Sequence, residues 1–99
     1  MIIFNPEKFT LTPSSGNAST TIITANSILM QLRVISTNAD STFDVLIQDD
    51  DGNELFNQEN YTGICNELLN LPNYEKWTFK IENASKDVAH TCVLSFRRF

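Results

Sequence analysis

The sequence predicts an all-β protein: an antiparallel two-sheet β-sandwich, jelly-roll or immunoglobulin-like, of about eight short strands. Three observations carry this expectation. Apolar residues recur at every second position in segment after segment, the period of a half-buried strand. Clusters rich in Gly, Pro, Asn, Asp and Ser break that alternation at short intervals. Finally, 41% of the 99 residues are hydrophobic and 10% aromatic, enough for one compact core and more apolar than disordered chains. The length fits a single domain, residues 1–99.

The elements follow in chain order. Lys8–Thr12 and Ser19–Thr24 are the weakest strand candidates, separated by the turn "PSSGN". The surrounding Ser/Thr/Asn-rich stretch, 12–27, reads either as an edge strand or as an arm that orders only against a partner. "SILMQLRVIS" places Ile28, Met30, Leu32 and Val34 on one face, with Gln31 and Arg33 opposite. "STFDVLIQD" groups Phe43, Val45 and Ile47 against Asp44 and Gln48. Glu54–Tyr61 and Cys65–Leu71 are again weaker. Within the latter, "NELLNL" has the look of half a helical turn, but Pro72 follows at once and the run is too short for a stable helix. "WTFKIEN" sets Trp77, Phe79 and Ile81 against Thr78, Lys80 and Glu82, and "HTCVLSFRRF" sets Cys92, Leu94 and Phe96 against Thr91, Ser95 and Arg97. The expected core is Met30, Leu32, Phe43, Val45, Ile47, Trp77, Phe79, Ile81, Leu94 and Phe96.

The densest charge lies in "IQDDDGNELF", residues 47–56. An EF-hand loop needs ligands at positions 1, 3 and 5, Gly at 6 and Glu at 12. With Gly52 at position 6, Asp49 and Asp51 fit, but the two end positions fall on Ile47 and Gln58. The stretch therefore reads as a hairpin tip without metal, since Asp-Gly supplies the positive φ of a tight turn. A two-residue loop at Asp51-Gly52 pairs Ile47 with Phe56; a loop one residue longer, closed by a G1 bulge, pairs Ile47 with Leu55. Both registers keep an apolar partner beside Ile47, and the sequence does not choose between them.

Composition narrows the function classes. The net charge of −5 argues against nucleic acid, whose phosphates are met by clustered Lys and Arg, and against an anionic membrane surface. The longest apolar runs are far too short to span a bilayer. The opening "MIIFNPEKFT" lacks the basic and apolar regions of a secretory signal, so a reducing cytoplasm is the expected setting and Cys65 and Cys92 the expected free thiols. With one histidine and two cysteines, no four-ligand zinc pattern is available. Cys65, Trp77 and Cys92 follow the Cys…Trp…Cys order of immunoglobulin domains, but the cysteines stand too close together in sequence for that pattern.

Catalytic and cofactor residues do not stand out. His90 and Cys92 alternate onto one strand face, yet no orienting group or oxyanion motif accompanies them, so His90 is expected at the surface or rim of a strand. The three glycines, at 16, 52 and 63, sit in turn contexts and form no phosphate loop. Trp77 shares a face with Phe79 and Ile81 and reads as core, whereas Tyr61 and Tyr74 flank loops, where exposed rings would suit sugar stacking. No catalytic, cofactor or metal residue is assigned.

From about Thr42 onward, the chain resembles small virion proteins of tailed bacteriophages. The resembling features are a strand ending in an acidic Asp-Gly turn, the "TG…NELLNLP" passage, and the "WTFKIENAS" strand with its Asn-rich loop. The resemblance implies a free-standing β-sandwich serving as a capsid decoration (cement) protein on the outside of the head. Its partner would be the major capsid protein or another virion protein, and its location the virion, after synthesis in the host cytoplasm. Homo-oligomers favour closed symmetry, and a trimer on local three-fold capsid sites is the expected assembly. The alternative class is a tail or baseplate module that binds a receptor or glycan. Residues 1–26 lie outside the resemblance and form the candidate partner-contacting segment. Ile2, Ile3, Phe4 and Phe9 are its apolar residues without a place in the core pattern, hence the candidate contacts.

Overall fold

The structure, a computed structural model, describes residues 4–23, 27–73 and 76–98. Eight strands make up its regular structure: β1 (Phe4–Leu11), β2 (Ala18–Ile23), β3 (Ser27–Ser36), β4 (Thr42–Gln48), β5 (Glu54–Thr62), β6 (Ile64–Asn73), β7 (Lys76–Glu82) and β8 (His90–Arg98). All pairings are antiparallel. The strand order is β1-β8-β3-β6-β5-β4-β7-β2. Only Thr62 and Ile64 join β5 to β6, so the order divides into two four-stranded sheets, β1-β8-β3-β6 and β5-β4-β7-β2. No helix among the described residues is long and apolar enough to cross a membrane.

The pairings are nested. β4 pairs with β5, β3 with β6, β2 with β7 and β1 with β8. The chain thus behaves as one long hairpin whose two arms are wrapped around a common core. This is the jelly-roll order; the immunoglobulin-like arrangement, also allowed by the sequence, is not the one found. The four strands with the faintest sequence signal all form, and all four lie at sheet edges: β1 and β6 in one sheet, β2 and β5 in the other. An edge strand is covered less, so its alternation is less apolar. Edge position also suits Pro6 and Pro72, which lack the amide a central strand would need. The passage "NELLNL" is strand throughout.

The interior holds Leu32, Val34, Phe43, Val45, Ile47, Trp77, Phe79, Ile81, Leu94 and Phe96, with Ile22, Leu29, Cys65 and Cys92. One expected core residue is displaced: Met30 is half-buried and Leu29 takes the inward place. The cause is a register shift between Leu29 and Gln31 against both neighbouring strands. A bulged residue reverses the phase of the strand beyond it, so Leu29 points inward before the bulge and Leu32 and Val34 after it. At the open side of the sandwich, Phe9 of β1 meets Phe79 of β7 edge to face, with centroids 5.4 Å apart. Trp77 and Phe96 bridge the sheets further along at 6.0 Å.

Candidate functional site

The acidic turn is a hairpin tip. Gly52 takes φ 84°, its amide donates to the Asp49 carbonyl at 3.1 Å, and the Asp49 amide donates to the Asn53 carbonyl at 3.0 Å. Asp50, Asp51 and Gly52 therefore form the longer, G1-type loop. Yet Ile47 pairs with Phe56, the register of the shorter loop, because an irregularity between Ile47 and Gln48 absorbs one residue of β5. The two alternatives left open by the sequence are each half right: the long loop holds at the tip and the other register beyond it.

The three aspartates do different things. The Asp49 carboxylate folds back on its own loop, accepting from the Asp51 amide at 3.0 Å, the Asn53 amide at 2.8 Å and the Asn53 side chain at 3.1 Å. The Asn53 hydrogen bonds hold its pKa below the ordinary value. Asp50 faces Lys76 at 3.4 Å in solvent. Asp51 is exposed. Among the described residues, no group of three or more His, Cys, Asp or Glu is placed to hold a metal ion.

His90 departs from expectation. It stands at the inward start of β8 and is fully buried, not at a strand rim. Its register partners are Leu11 of β1 and Ser36 of β3, and its ring lies edge-on to Phe43 at 4.9 Å. Neither ring nitrogen has a hydrogen-bond partner. Burial is the largest influence on its pKa and lowers it from 6.5, so the neutral ring is the form this site favours.

The two cysteines share that interior. Cys65 and Cys92 both register with Val34, one from each side. Two strand spacings separate their backbones by roughly 9–10 Å, beyond the ~7 Å reach of a disulfide. Both are free and buried, and burial pushes their pKa values up to about 11 and about 12. Such thiols are poor nucleophiles. The order Cys…Trp…Cys therefore carries no immunoglobulin bridge.

A polar seam lies at the opposite sheet. Asp44 accepts from the Asn60 amide at 2.9 Å and from the Asn83 side chain at 2.7 Å. Asn60 and Asn83 both take positive φ, 64° and 52°, which asparagine tolerates better than most residues. The Asn83 amide donates to Asn17 at 3.2 Å, tying the first and last long loops together. Beside this seam is a depression of about 300 Å³ lined by Asn17, Ala18, Ser19, Lys80 and Glu82. Its location follows from β2 pairing with β7, a long-range contact that no local sequence pattern signals.

The aromatic and N-terminal candidates are dispersed. Trp77 is core. Tyr61 is half-buried, with its ring against Phe43 and its hydroxyl donating to Glu67 at 3.0 Å, so it is not a free stacking platform; Tyr74 lies outside the described residues. Ile2 and Ile3 also lie outside them. Phe4 begins β1, opposite Arg97. Phe9 has a place in the core pattern after all, packed against the interior cluster. Among the described residues, the large exposed apolar side chains are elsewhere: Ile35, Ile64 and Leu68 on the outer face of the β1-β8-β3-β6 sheet, and Ile23 on β2. Compared with protein-family models and with curated protein sequences, the chain matches none.

Proposed function

We propose that the protein is a structural component of a tailed-phage particle, a decoration protein that binds the outside of the head and reinforces it without a chemical step. The observation that carries this reading is the nested jelly-roll order, an architecture used by viral capsid domains. The resemblance of the chain from Thr42 onward agrees with it. The apolar residues Ile35 and Ile64 supply an outer-sheet surface for attachment, and a repeating lattice multiplies weak single contacts. The major capsid protein is the proposed partner.

One observation favours the second reading, a tail or baseplate module for a receptor glycan. Jelly rolls also serve as lectins, and the polar depression beside Asn83 is about 300 Å³, the lower size of a ligand pocket. The deciding experiment adds labelled protein to heads assembled without it, to isolated tails and to immobilised host glycans. The decoration reading expects saturable binding to heads, weakened by Ile35→Lys on the outer face of central strand β3. Binding to tails or glycans instead, lost in Lys80→Ala, would establish the second reading.

A further inference from the structure

Independently of that function, we infer that β6 is a self-pairing edge: two copies of this chain join β6 to β6 across a two-fold axis and form one continuous sheet of both β1-β8-β3-β6 halves. Among the described residues, β6 pairs with β3 along its length on one side, but on the other only Ile64 has a partner. A ten-residue strand is thereby left with one open edge. Exposed edges of this length are normally blunted by charges, prolines or bulges. This one carries a single charge, Glu67, whose carboxylate already accepts from Tyr61, and a single proline, Pro72, which stands at the far end of the strand and leaves the run from Ile64 to Leu71 able to pair. A second copy therefore meets little repulsion here, unlike at the acidic β4–β5 tip.

The register is constrained by the strand itself. An isologous pair places the same face of both copies upward, so outward residues must oppose outward residues. Centring the axis on Leu68 uses the strand from Ile64 to Pro72. It sets Leu68 against its own copy, Asn66 against Asn70, and Glu67 against Leu69. Centring on residue 67 would oppose two glutamates, which is destabilising. The chosen register buries Leu68, which is 83% exposed and the most exposed large hydrophobic side chain described. Asn66 already accepts from Gln31 at 3.0 Å, which leaves its amide NH₂ to reach across the pair. A self-complementary edge closes with two copies, in place of the three-fold assembly expected from the resemblance.

Sedimentation of the full chain from micromolar to millimolar concentration tests the pair. The expected result is a monomer–dimer equilibrium, weakened about tenfold or more by Leu68→Lys, which opposes two like charges at the axis. Leu68 is outside the core, so the variant keeps the wild-type circular dichroism. Opposed residues of an antiparallel pair stand about 4.5–5.5 Å apart at Cα, within disulfide range. Leu68→Cys is therefore expected to give a covalent dimer on mild oxidation, while Thr21→Cys on the outward face of β2 does not; Cys65 and Cys92 are buried and do not compete. A strictly monomeric protein, a dimer indifferent to Leu68→Lys, or equal cross-linking by the two cysteine variants would overturn the inference.

Discussion

Gly63 forms the whole connection between β5 and β6, the point at which the chain passes from one sheet to the other. It takes φ 71°, its amide donates to the Ser41 carbonyl at 2.8 Å, and its carbonyl accepts from the Ser36 amide at 2.9 Å. A Cβ at this position would overlap the carbonyl oxygen of Ala39. Gly52 also has positive φ, but open space surrounds it. Left-handed backbone alone costs a non-glycine residue roughly 1–2 kcal/mol. Gly52→Ala is expected to lose about that much, and Gly63→Ala distinctly more, because the Ser36–Ser41 loop must move as well. Urea denaturation of the two variants checks the ranking; equal losses would mean that the corner tolerates a side chain. His90 gives the second residue-scale prediction. Its pKa is lowered in the folded protein, so below about pH 6.5, the ordinary value, the unfolded chain binds a proton that the folded chain refuses. Stability is then lost as pH falls, and the loss levels off below the depressed folded pKa. The inward neighbours Leu11, Ser36, Phe43 and Cys92 offer no carboxylate to offset the charge. His90→Phe is expected to flatten the melting temperature between pH 7 and 5; an unchanged acid slope would assign the effect to other groups. The sequence shows that His90 shares a face with Cys92, but its depth depends on β1 and β3 covering it from both sides.

At the scale of elements, the β4–β5 hairpin is the innermost of the nested pairings and is closed by a short loop, and the other nested pairs bring together residues progressively farther apart in the chain. Its turn chemistry was readable: Asp-Gly marks a hairpin, and a hairpin is found. The second irregularity, which returns Ile47 to Phe56, was not readable, because it depends on fitting β5 to β4 while β4 is also held by β7. The same holds for the bulge that exchanges Met30 for Leu29, since alternation over so few residues fits either phase. The turn itself rests on Asp49. Asp49→Ala removes the acceptor of three hydrogen bonds and is expected to lower the melting temperature, whereas Asp50→Asn changes only an exposed pair and is expected to do little. Because the folded pKa of Asp49 is depressed, its contribution is present above the ordinary carboxylate pKa and fades as pH falls through the folded value. Calcium is expected to leave the melting temperature of the wild-type protein unchanged. A calcium-dependent rise that vanishes in Asp49→Ala would convert the cap into a metal ligand.

At the scale of the whole molecule, the central strands were legible because they are buried from the interior side and exposed on the other, which is what alternation records. The pairing order was not, since alternation says which face is inward but not which strand lies beside which. Nor was the role of β1, whose Phe9 and Leu11 find their place only once β1 lies against β8. That placement makes Phe9 a tie between sheets, reaching from β1 to Phe79 of β7, and removal of residues 1–9 would take away most of an edge strand. Phe79 is fully buried in the central cluster, so Phe79→Ala is expected to cost about 3–5 kcal/mol, a large share of the roughly 5–15 kcal/mol typical of a domain. Phe9 is only half-buried and Phe9→Ala is expected to cost less. The informative quantity is their coupling. Edge-to-face rings contribute about 0.5–1.5 kcal/mol beyond area burial, so the double variant should fall short of the summed single losses by about that amount. A neighbour on the same sheet without ring contact, such as Thr10→Ala, should add independently to Phe79→Ala. Strict additivity of Phe9→Ala and Phe79→Ala would show that β1 is held by its pairing to β8 alone and that the two sheets are not tied at this edge.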